Sequence, residues 1–457
     1  MYKNIQNQFA LLALVVAVSG LAHAADWQML SDARDLNGWR QVGGVAGYLV
    51  NGDEIVGTAV PDSPNSFLTT KKTYSDFILE YEVFDDPELN SGVQVRSHVG
   101  ENGVVQGYQV EIDPTPRAFS GGLYDEQRRR WMYPLSRNEK GRKAFQNGRW
   151  NQFRVEAIGN SIRVWVNGIQ TTELVDDMTA EGFIGLQVHS IRDASWAGKT
   201  VRWRNIRILT DDLEEQRTPR DPDVVEISFL ANELTDNEIR NGWRLLWDGK
   251  TTAGWRGAKL NHFPAEGWMI EDGVLSVEKT DGGESTGGGD IVTLQSFSNF
   301  ELEFDFRITE GANSGVKYFV DPSLNLGPGS AIGVEFQILD DAVHPDAKMG
   351  VNGNRTLASL YDLIAAENFS AAGRVKQFKG VGQWNQGRIV SIDGHVEHWL
   401  NNEKAVEYDR NSQMFRALVA YSKYKVWPGF GQWPEGRILL QDHGDAVSFR
   451  SIKIREW

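Results

Sequence analysis

Apolar and polar residues alternate with period two along several stretches, the mark of strands that bury one face. Phe77-Ile78-Leu79-Glu80-Tyr81-Glu82-Val83 and Phe300-Glu301-Leu302-Glu303-Phe304-Asp305-Phe306 have this pattern. Ser161 to Gly168 and His395 to Asn402 share it and stop on Asn-Gly and Asn-Asn, residues that tolerate the left-handed turn of a hairpin. Val201 to Leu209 and Val447 to Ile454 predict closing strands. Gly, Asn and Asp punctuate almost every gap, so the pattern predicts an all-β, antiparallel sandwich architecture. Short helical turns are expected only in loops, at Leu357 to Ala366 and in the amphipathic stretch Ser228 to Arg240.

The pattern is written twice. Asn90-Ser91-Gly92-Val93 and Gly107-Tyr108-Gln109-Val110-Glu111-Ile112 return as Asn313-Ser314-Gly315-Val316 and Gly333-Val334-Glu335-Phe336-Gln337-Ile338. Trp150-Asn151-Gln152 returns as Trp384-Asn385-Gln386, and Gly185-Leu186-Gln187-Val188-His189 as Leu439-Leu440-Gln441-Asp442-His443. So long a period means a duplicated domain rather than a solenoid. The expected organisation is a signal peptide over 1–24, a first repeat over 25–211, a charged, Pro-containing linker over 212–241 and a second repeat over 242–457.

Composition narrows the function. A net charge of -15 argues against nucleic acid or an anionic membrane as partner. Sixteen Trp and twelve Tyr suit flat, hydroxyl-bearing ligands such as sugars, although for any single Trp a core position is the default. Lys3, the apolar run Phe9 to Val18 and Ala22-His23-Ala24 read as a secretory signal cleaved near Ala24. With no Cys there is neither a lipid-attachment cysteine nor a disulfide. The expectation is a periplasmic or secreted protein without membrane insertion.

At the motif level the chain resembles a known family. The second repeat carries Gly242-Trp243-Arg244-Leu245-Leu246-Trp247-Asp248-Gly249-Lys250, Trp268-Met269-Ile270-Glu271-Asp272-Gly273, Asn313-Ser314-Gly315 and Glu335-Phe336-Gln337-Ile338-Leu339-Asp340-Asp341. His344-Pro345-Asp346, Ser359-Leu360-Tyr361-Asp362 and Leu440-Gln441-Asp442-His443-Gly444 follow. These resemble the 3-keto-disaccharide hydrolase family, also described as 3-keto-glucoside 1,2-lyase and 3-keto-2-hydroxy-glucal hydratase. The first repeat resembles a second branch through Gly107 to Asp113, Gly121-Gly122-Leu123-Tyr124-Asp125-Glu126 and Trp150-Asn151. The resemblance implies two tandem concanavalin A-like jelly-roll sandwiches that cleave 3-keto-glycosides by C2 proton abstraction, elimination at C1 and hydration. With no nucleotide fingerprint in the chain, an upstream sugar 3-dehydrogenase would supply the ketone.

That chemistry needs a base, a proton donor and a group to hold the ketone oxygen. Glu335 and Gln337 lie two apart on a predicted strand and share a face; in the first repeat the pair is exchanged, as Gln109 and Glu111. The expected roles are an acid–base carboxylate and a substrate-orienting amide; a solvated sheet face is the bland alternative. His443 and His189 hold equivalent places as acid, base or ligand, and Asp442 would orient His443 only if the strand has ended there. Asp340, Asp341, His344 and Asp346 cluster in one loop. They form a candidate substrate contact or, less favoured, a divalent-cation site; the first repeat has only Asp113, then Pro114-Thr115-Pro116. Asn313, Tyr361 and its counterpart Tyr124 are candidate cleft residues. Arg388 and Arg154 would hold an enolate, or pair with Glu335 or Glu111, or form structural ion pairs. Trp384 and Trp150 are candidates for stacking on a sugar, and Arg128-Arg129-Arg130 reads as a solvated loop or, alternatively, as a lining of the first repeat's cleft. Two rival functions stay open. One is a non-catalytic carbohydrate-binding protein. The other is an ordinary laminarinase-like glucanase, for which Glu301-Leu302-Glu303-Phe304-Asp305 is the nearest approximation to the required carboxylate row.

Overall fold

A computed structural model describes residues 25–31, 34–280, 283–285, 287–367 and 375–457; the expected signal peptide lies outside them. Each repeat is an all-β, jelly-roll-type sandwich of two antiparallel sheets. In the first, a seven-stranded sheet runs Arg130–Tyr133, Leu123–Glu126, Val105–Ile112, Ser91–Val99, Phe183–Val188, Ser66–Thr70, Trp39–Gly43. A nine-stranded outer sheet backs it, with Phe77–Asp85 between Asn151–Ile158 and Thr200–Leu209. In the second, a five-stranded sheet runs Trp255–Gly257, Ile291–Thr293, Arg437–Leu440, Asn313–Asp321, Ile332–Leu339, backed by an eight-stranded outer sheet. The smaller sheet of each carries the candidate site residues and is called the cleft sheet below.

The alternation decides which side chains enter each core. Tyr81, Phe153 and Trp203 from the outer sheet meet Val93, Tyr108 and Val110 from the cleft sheet. Phe300, Phe304 and Phe449 meet Val316, Phe336 and Ile338 in the second sandwich. Truncating one of these aromatics would cost about 3–5 kcal/mol. The same alternation leaves Gln109, Glu111, Glu335 and Gln337 on the opposite face of their strands. Hairpin turns use the predicted residues: Asn167 has φ +50° before Gly168 at +77°, and Asn401 and Asn402 have +49° and +66°.

Leu357 to Ala366 forms no helix, contrary to expectation. Ala358 and Asp362 have φ of +65° and +61°, and the segment's backbone pairs with the edge of Ile332–Leu339 through Ala358 N to Gln337 O at 2.8 Å and Tyr361 N to Glu335 O at 3.1 Å. In the linker, Ile227–Ser228 adds a parallel strand to the first outer sheet, and only Asp236–Arg240 is α-helical, started by a Thr235–Glu238 capping box. Among the described residues no helix is long and apolar enough to cross a membrane.

The sandwiches meet through the outer sheet of the second. Arg137 lies 3.7 Å from both Glu301 and Glu303 and donates to Asn402 Oδ1 at 3.2 Å; Ser136 Oγ donates to Glu403 Oε1 at 2.6 Å. Glu301 and Glu303 are therefore groups of a closed interface, further paired with Arg388 and Arg455 and with Lys453, and Asp305 is paired with Arg450. They do not form the open carboxylate row a glucanase requires.

Candidate active site

In the first sandwich, Glu111 and Gln109 project from Val105–Ile112 beside Gly92 of the neighbouring strand, where a Cβ would collide with the Gln109 side chain. A chain of hydrogen bonds fixes the amides. Ser97 Oγ donates to Gln94 Oε1 (2.7 Å), Gln94 Nε2 to Gln109 Oε1 (2.7 Å) and Gln109 Nε2 to Glu111 Oε2 (3.0 Å). Asn90 Nδ2 donates to Glu111 Oε1 at 2.7 Å, and Arg117 Nη2 lies 3.5 Å from that oxygen. Arg117 is held by Asp113 at 2.7 Å and by the Trp131 ring 4.9 Å away. Burial pushes the Glu111 carboxyl up to about 7, against the opposing pull of Arg117, Asn90 and Gln109.

These groups line a cleft of about 1220 Å³ together with His189, Tyr124 and Glu126. His189 Nδ1 lies 2.7 Å from the Ser190 carbonyl. A carbonyl only accepts, so Nδ1 carries a proton. Burial raises the Glu126 carboxyl, while Gln127 and His189 draw it down. Gln187, opposite Gly92 on the same face, is fully buried, and neither end of its amide has a hydrogen-bond partner among the described residues.

The second sandwich repeats the plan with different neighbours. Glu335 stands opposite Lys317, whose Nζ is 3.6 Å away and also bonds Ser330. Ser330 in turn donates to the buried Asp290. Gln337 Nε2 donates to Asn313 Oδ1 at 3.3 Å, its Oε1 lacking a partner among the described residues. Burial raises Glu335, and Lys317, Lys423 and His443 lower it. Burial lowers Lys423, and Glu335 draws it back up. Lys423 Nζ sits 4.2 Å from the Tyr361 ring centre, and Tyr361 Oη donates to Asp346 Oδ2 at 2.7 Å. The His344 and His443 rings are perpendicular, 6.5 Å between centroids, and His344 Nδ1 accepts from Asp346 N at 3.1 Å. Glu335, His443, Tyr361 and His344 therefore share one region.

Other expected site residues lie elsewhere. The strand does end at Leu440, but fully buried Asp442 accepts from Gly289 N and Gly444 N, both at 2.9 Å, and serves as a loop pin rather than a partner of His443. Arg154 bonds Glu80 and Glu156, and Arg388 bonds Glu301; both sit on outer sheets, across the core from Glu111 and Glu335, so neither pairs with those carboxylates or touches an enolate there. Asp340 accepts from Gly311 N at 2.8 Å and Ala342 N at 3.2 Å, and Asp341 from Leu357 N at 2.7 Å and Lys376 at 3.0 Å. Their oxygens cap turns and do not converge with His344. Among the described residues the one grouping with metal-ligand spacing is His395, Glu397 and Glu407, and Lys404 already pairs with both glutamates. Trp150 stacks under Arg204 and Trp384 under Arg450, again on outer sheets. Arg128 and Arg129 are not solvated: they bind the buried Asp125, and Arg129 also Asp176.

Residues that the sequence left unmarked include Lys317, Lys423 and Arg117. Lys317 had a signal, two residues past Gly315 and so on the same strand face. Arg117 and Lys423 reach their sites through loops or short elements with no periodicity to read.

A family model for the 3-keto-alpha-glucoside-1,2-lyase-like domain matches residues 26–209 and 242–455. A 3-keto-disaccharide hydrolase from Bacteroides thetaiotaomicron is 37% identical over 251 residues, covering 50% of this chain and 84% of that protein. A crystal structure of a Parabacteroides distasonis protein provisionally assigned as a glycosyl hydrolase is 32% identical, with TM-score 0.43, covering 50% of this chain and 100% of that one. A carbohydrate-binding module from Bacillus subtilis is 16% identical, with TM-score 0.28, covering 38% of this chain and 95% of that one. The chain belongs to the 3-keto-alpha-glucoside-1,2-lyase-like domain family, in two tandem copies, and is a carbohydrate-active enzyme.

Proposed function

We propose that this protein cleaves glycosides oxidised to a ketone at C3, and that the cleft of the first sandwich is the working centre. One observation carries the assignment: a buried carboxyl, Glu111, held near neutrality at the wall of a sugar-sized cleft. The C3 ketone acidifies the hydrogen at C2. Glu111 takes that proton; the C–H electron pair forms a C2–C3 double bond and the carbonyl pair moves to the C3 oxygen, facing Arg117. When that pair returns, the C1–C2 double bond forms and the C1–O bond breaks. The departing oxygen takes a proton from the Glu126 carboxyl, which burial raises above the ordinary carboxylate range, leaving a 3-keto-glycal and the free aglycone. Addition of water to the glycal completes net hydrolysis. A base that titrates near the working pH is the most effective one for this step.

The ketone must come from a separate sugar 3-dehydrogenase. Export, periplasmic or beyond, is part of the same reading, since Lys3, Phe9 to Val18 and Ala22-His23-Ala24 have the form of a leader. N-terminal sequencing of protein recovered from the cells would show a start near Ala25.

Glu111→Gln in the full chain should lower turnover of a 3-keto-glucoside by about three orders of magnitude and abolish deuterium exchange at C2. Full activity in that variant, with intact folding, would end the assignment. A second reading moves the chemistry to Glu335, favoured by Lys423, Tyr361 and His443 beside it. Loss of turnover in Glu335→Gln but not in Glu111→Gln would establish it instead.

A further inference from the structure

The cleft of the first sandwich is completed by the second. Val375 and Gln377 line it, and two residues further along the same segment Lys379 enters the junction between the repeats. The segment belongs firmly to the second sandwich: Asn401 Nδ2 donates to Gln377 O at 2.5 Å, and Lys379 N donates to Asn385 Oδ1 at 2.9 Å. Its hold on the first sandwich is weaker. Arg130 Nη1 donates to Phe378 O at 3.4 Å, and Lys379 Nζ lies 5.1 Å from the ring centre of Phe229, a linker residue whose backbone is fixed to Val175 O at 2.8 Å.

The charges around Lys379 are committed to one another. From the first sandwich, Arg129 lies 6.0 Å from the centre of the same Phe229 ring and binds Asp125 and Asp176; Arg128 also binds Asp125, and Tyr108 Oη donates to Asp176. From the second, Asp305 is held by Arg450 and also feels Lys453. Lys379 is only 9% exposed and has no carboxylate within ion-pair distance among the described residues. Two cations therefore share one phenyl ring, and the acids are arranged around the other one. Burial and Arg129 push the Lys379 amine down to about 8, against the pull of Asp305, Asp125 and Asp176.

We propose that Lys379 makes the docking of the two sandwiches pH-sensitive: uncharged, it lets the junction close over Phe229, and charged, it favours separation, which gives the ammonium water and distance from Arg129. Because the first cleft has lining residues from both sandwiches, its completeness follows the same equilibrium. The sign comes from the two proton affinities. With the docked value at about 8 and the ordinary one at 10.5, the amine is charged in both forms below pH 8; between the two values the separated form keeps a proton that the docked form has released. Docking therefore strengthens as pH rises, about tenfold between pH 7 and 9. The device is independent of which reaction the cleft performs.

The chain has no Cys, so Met178→Cys and Met414→Cys, both at exposed positions, place one dye on each sandwich of the full chain. Single-molecule energy transfer, in urea just below the unfolding transition, then counts docked and separated molecules at pH 7 and pH 9. The docked-to-separated ratio should rise about tenfold between them. Lys379→Met, which carries no charge, should give a high ratio at both pH values. Lys379→Arg, which carries its charge at both, should give a low one at both. A ratio that does not change with pH in the parent chain, or a rise that survives in Lys379→Met, would overturn the proposal. If Lys379→Met does not fold, Lys379→Arg decides: loss of the rise supports the role of Lys379, and a retained rise overturns it.

Discussion

The two sandwiches place a carboxylate and an amide at the same pair of alternate strand positions and then surround them differently. Glu111 is fixed by two amides, Asn90 and Gln109, with one partly exposed guanidinium 3.5 Å away. Glu335 stands across the ladder from a buried lysine, with Lys423 and His443 also close enough to act on it. Neutral donors position a carboxylate without compensating its charge fully, so burial dominates and Glu111 keeps its proton to about pH 7. A lysine provides that compensation but is itself a buried charge that depends on its acids. Duplication therefore preserved the scaffold and varied the neighbours that set the carboxyl group's behaviour.

The sharpest way to break the comparison is to remove the lysine. Lys317→Met leaves Glu335 and Asp290 buried without their nearest cation, and loss of one partner of a buried pair costs about 3–5 kcal/mol. Its positional counterpart, Gln94→Met, breaks only an amide relay and should cost about 1–2 kcal/mol. Burial raises both Glu335 and Asp290, so the Lys317→Met loss should be largest at pH 8 and shrink as acid protonates them. Urea midpoints of both variants at pH 5 and 8 would check this. Equal, pH-independent losses would show that the two clefts are electrostatically alike.

Glu111 gives the next largest effect, and its sign is opposite to that of an ion-paired carboxylate. Its folded value of about 7 exceeds the ordinary 4.5, so between these two pH values the folded chain holds a proton that the unfolded chain has released. Stability therefore falls as pH rises through that window, by about 3 kcal/mol from this group. Glu111→Gln should flatten that slope and be relatively more stable at pH 8 than at pH 4.5. The acid limb of kcat/KM should lie near pH 7 and move upward in Arg117→Ala, which removes the cation that opposes burial. A limb near 4.5, unmoved by Arg117→Ala, would remove Glu111 as the base.

Period-two alternation was enough to put Gln109 with Glu111 and Glu335 with Gln337 on shared faces, and the internal copy showed that the pairing recurs. Alternation says which face of a strand a residue occupies but not which layer of the sandwich the strand joins. Arg154 and Arg388 looked equivalent to cleft residues for that reason, although their strands belong to the outer sheets. Asp442 follows a strand as expected, but one of its two backbone donors, Gly289, comes from a loop more than 150 residues earlier in the chain. Trp399 reaches the first cleft only because Arg137 and Ser136 dock the sandwiches, a contact with no local signature. The helix expected at Leu357 to Ala366 lost to an available strand edge, whose backbone groups would otherwise have lacked partners.

The smallest effect separates layer from face. Arg154 joins Glu80 to Glu156 in the first outer sheet, and Arg388 binds Glu301 beside the docking contact. If the outer sheets only support the clefts, Arg154→Met should change turnover of a methyl 3-keto-glucoside by less than about twofold, with a stability loss near 1–3 kcal/mol from the stranded glutamates. Arg388→Met should also spare that small substrate. Unlike Arg154→Met, it should also loosen the docking of the two sandwiches, because the guanidinium shares Glu301 with Arg137, and a less cooperative urea transition would show it. A change in kcat on the small substrate from either variant, with folding intact, would mean that the outer sheets act on the chemistry itself.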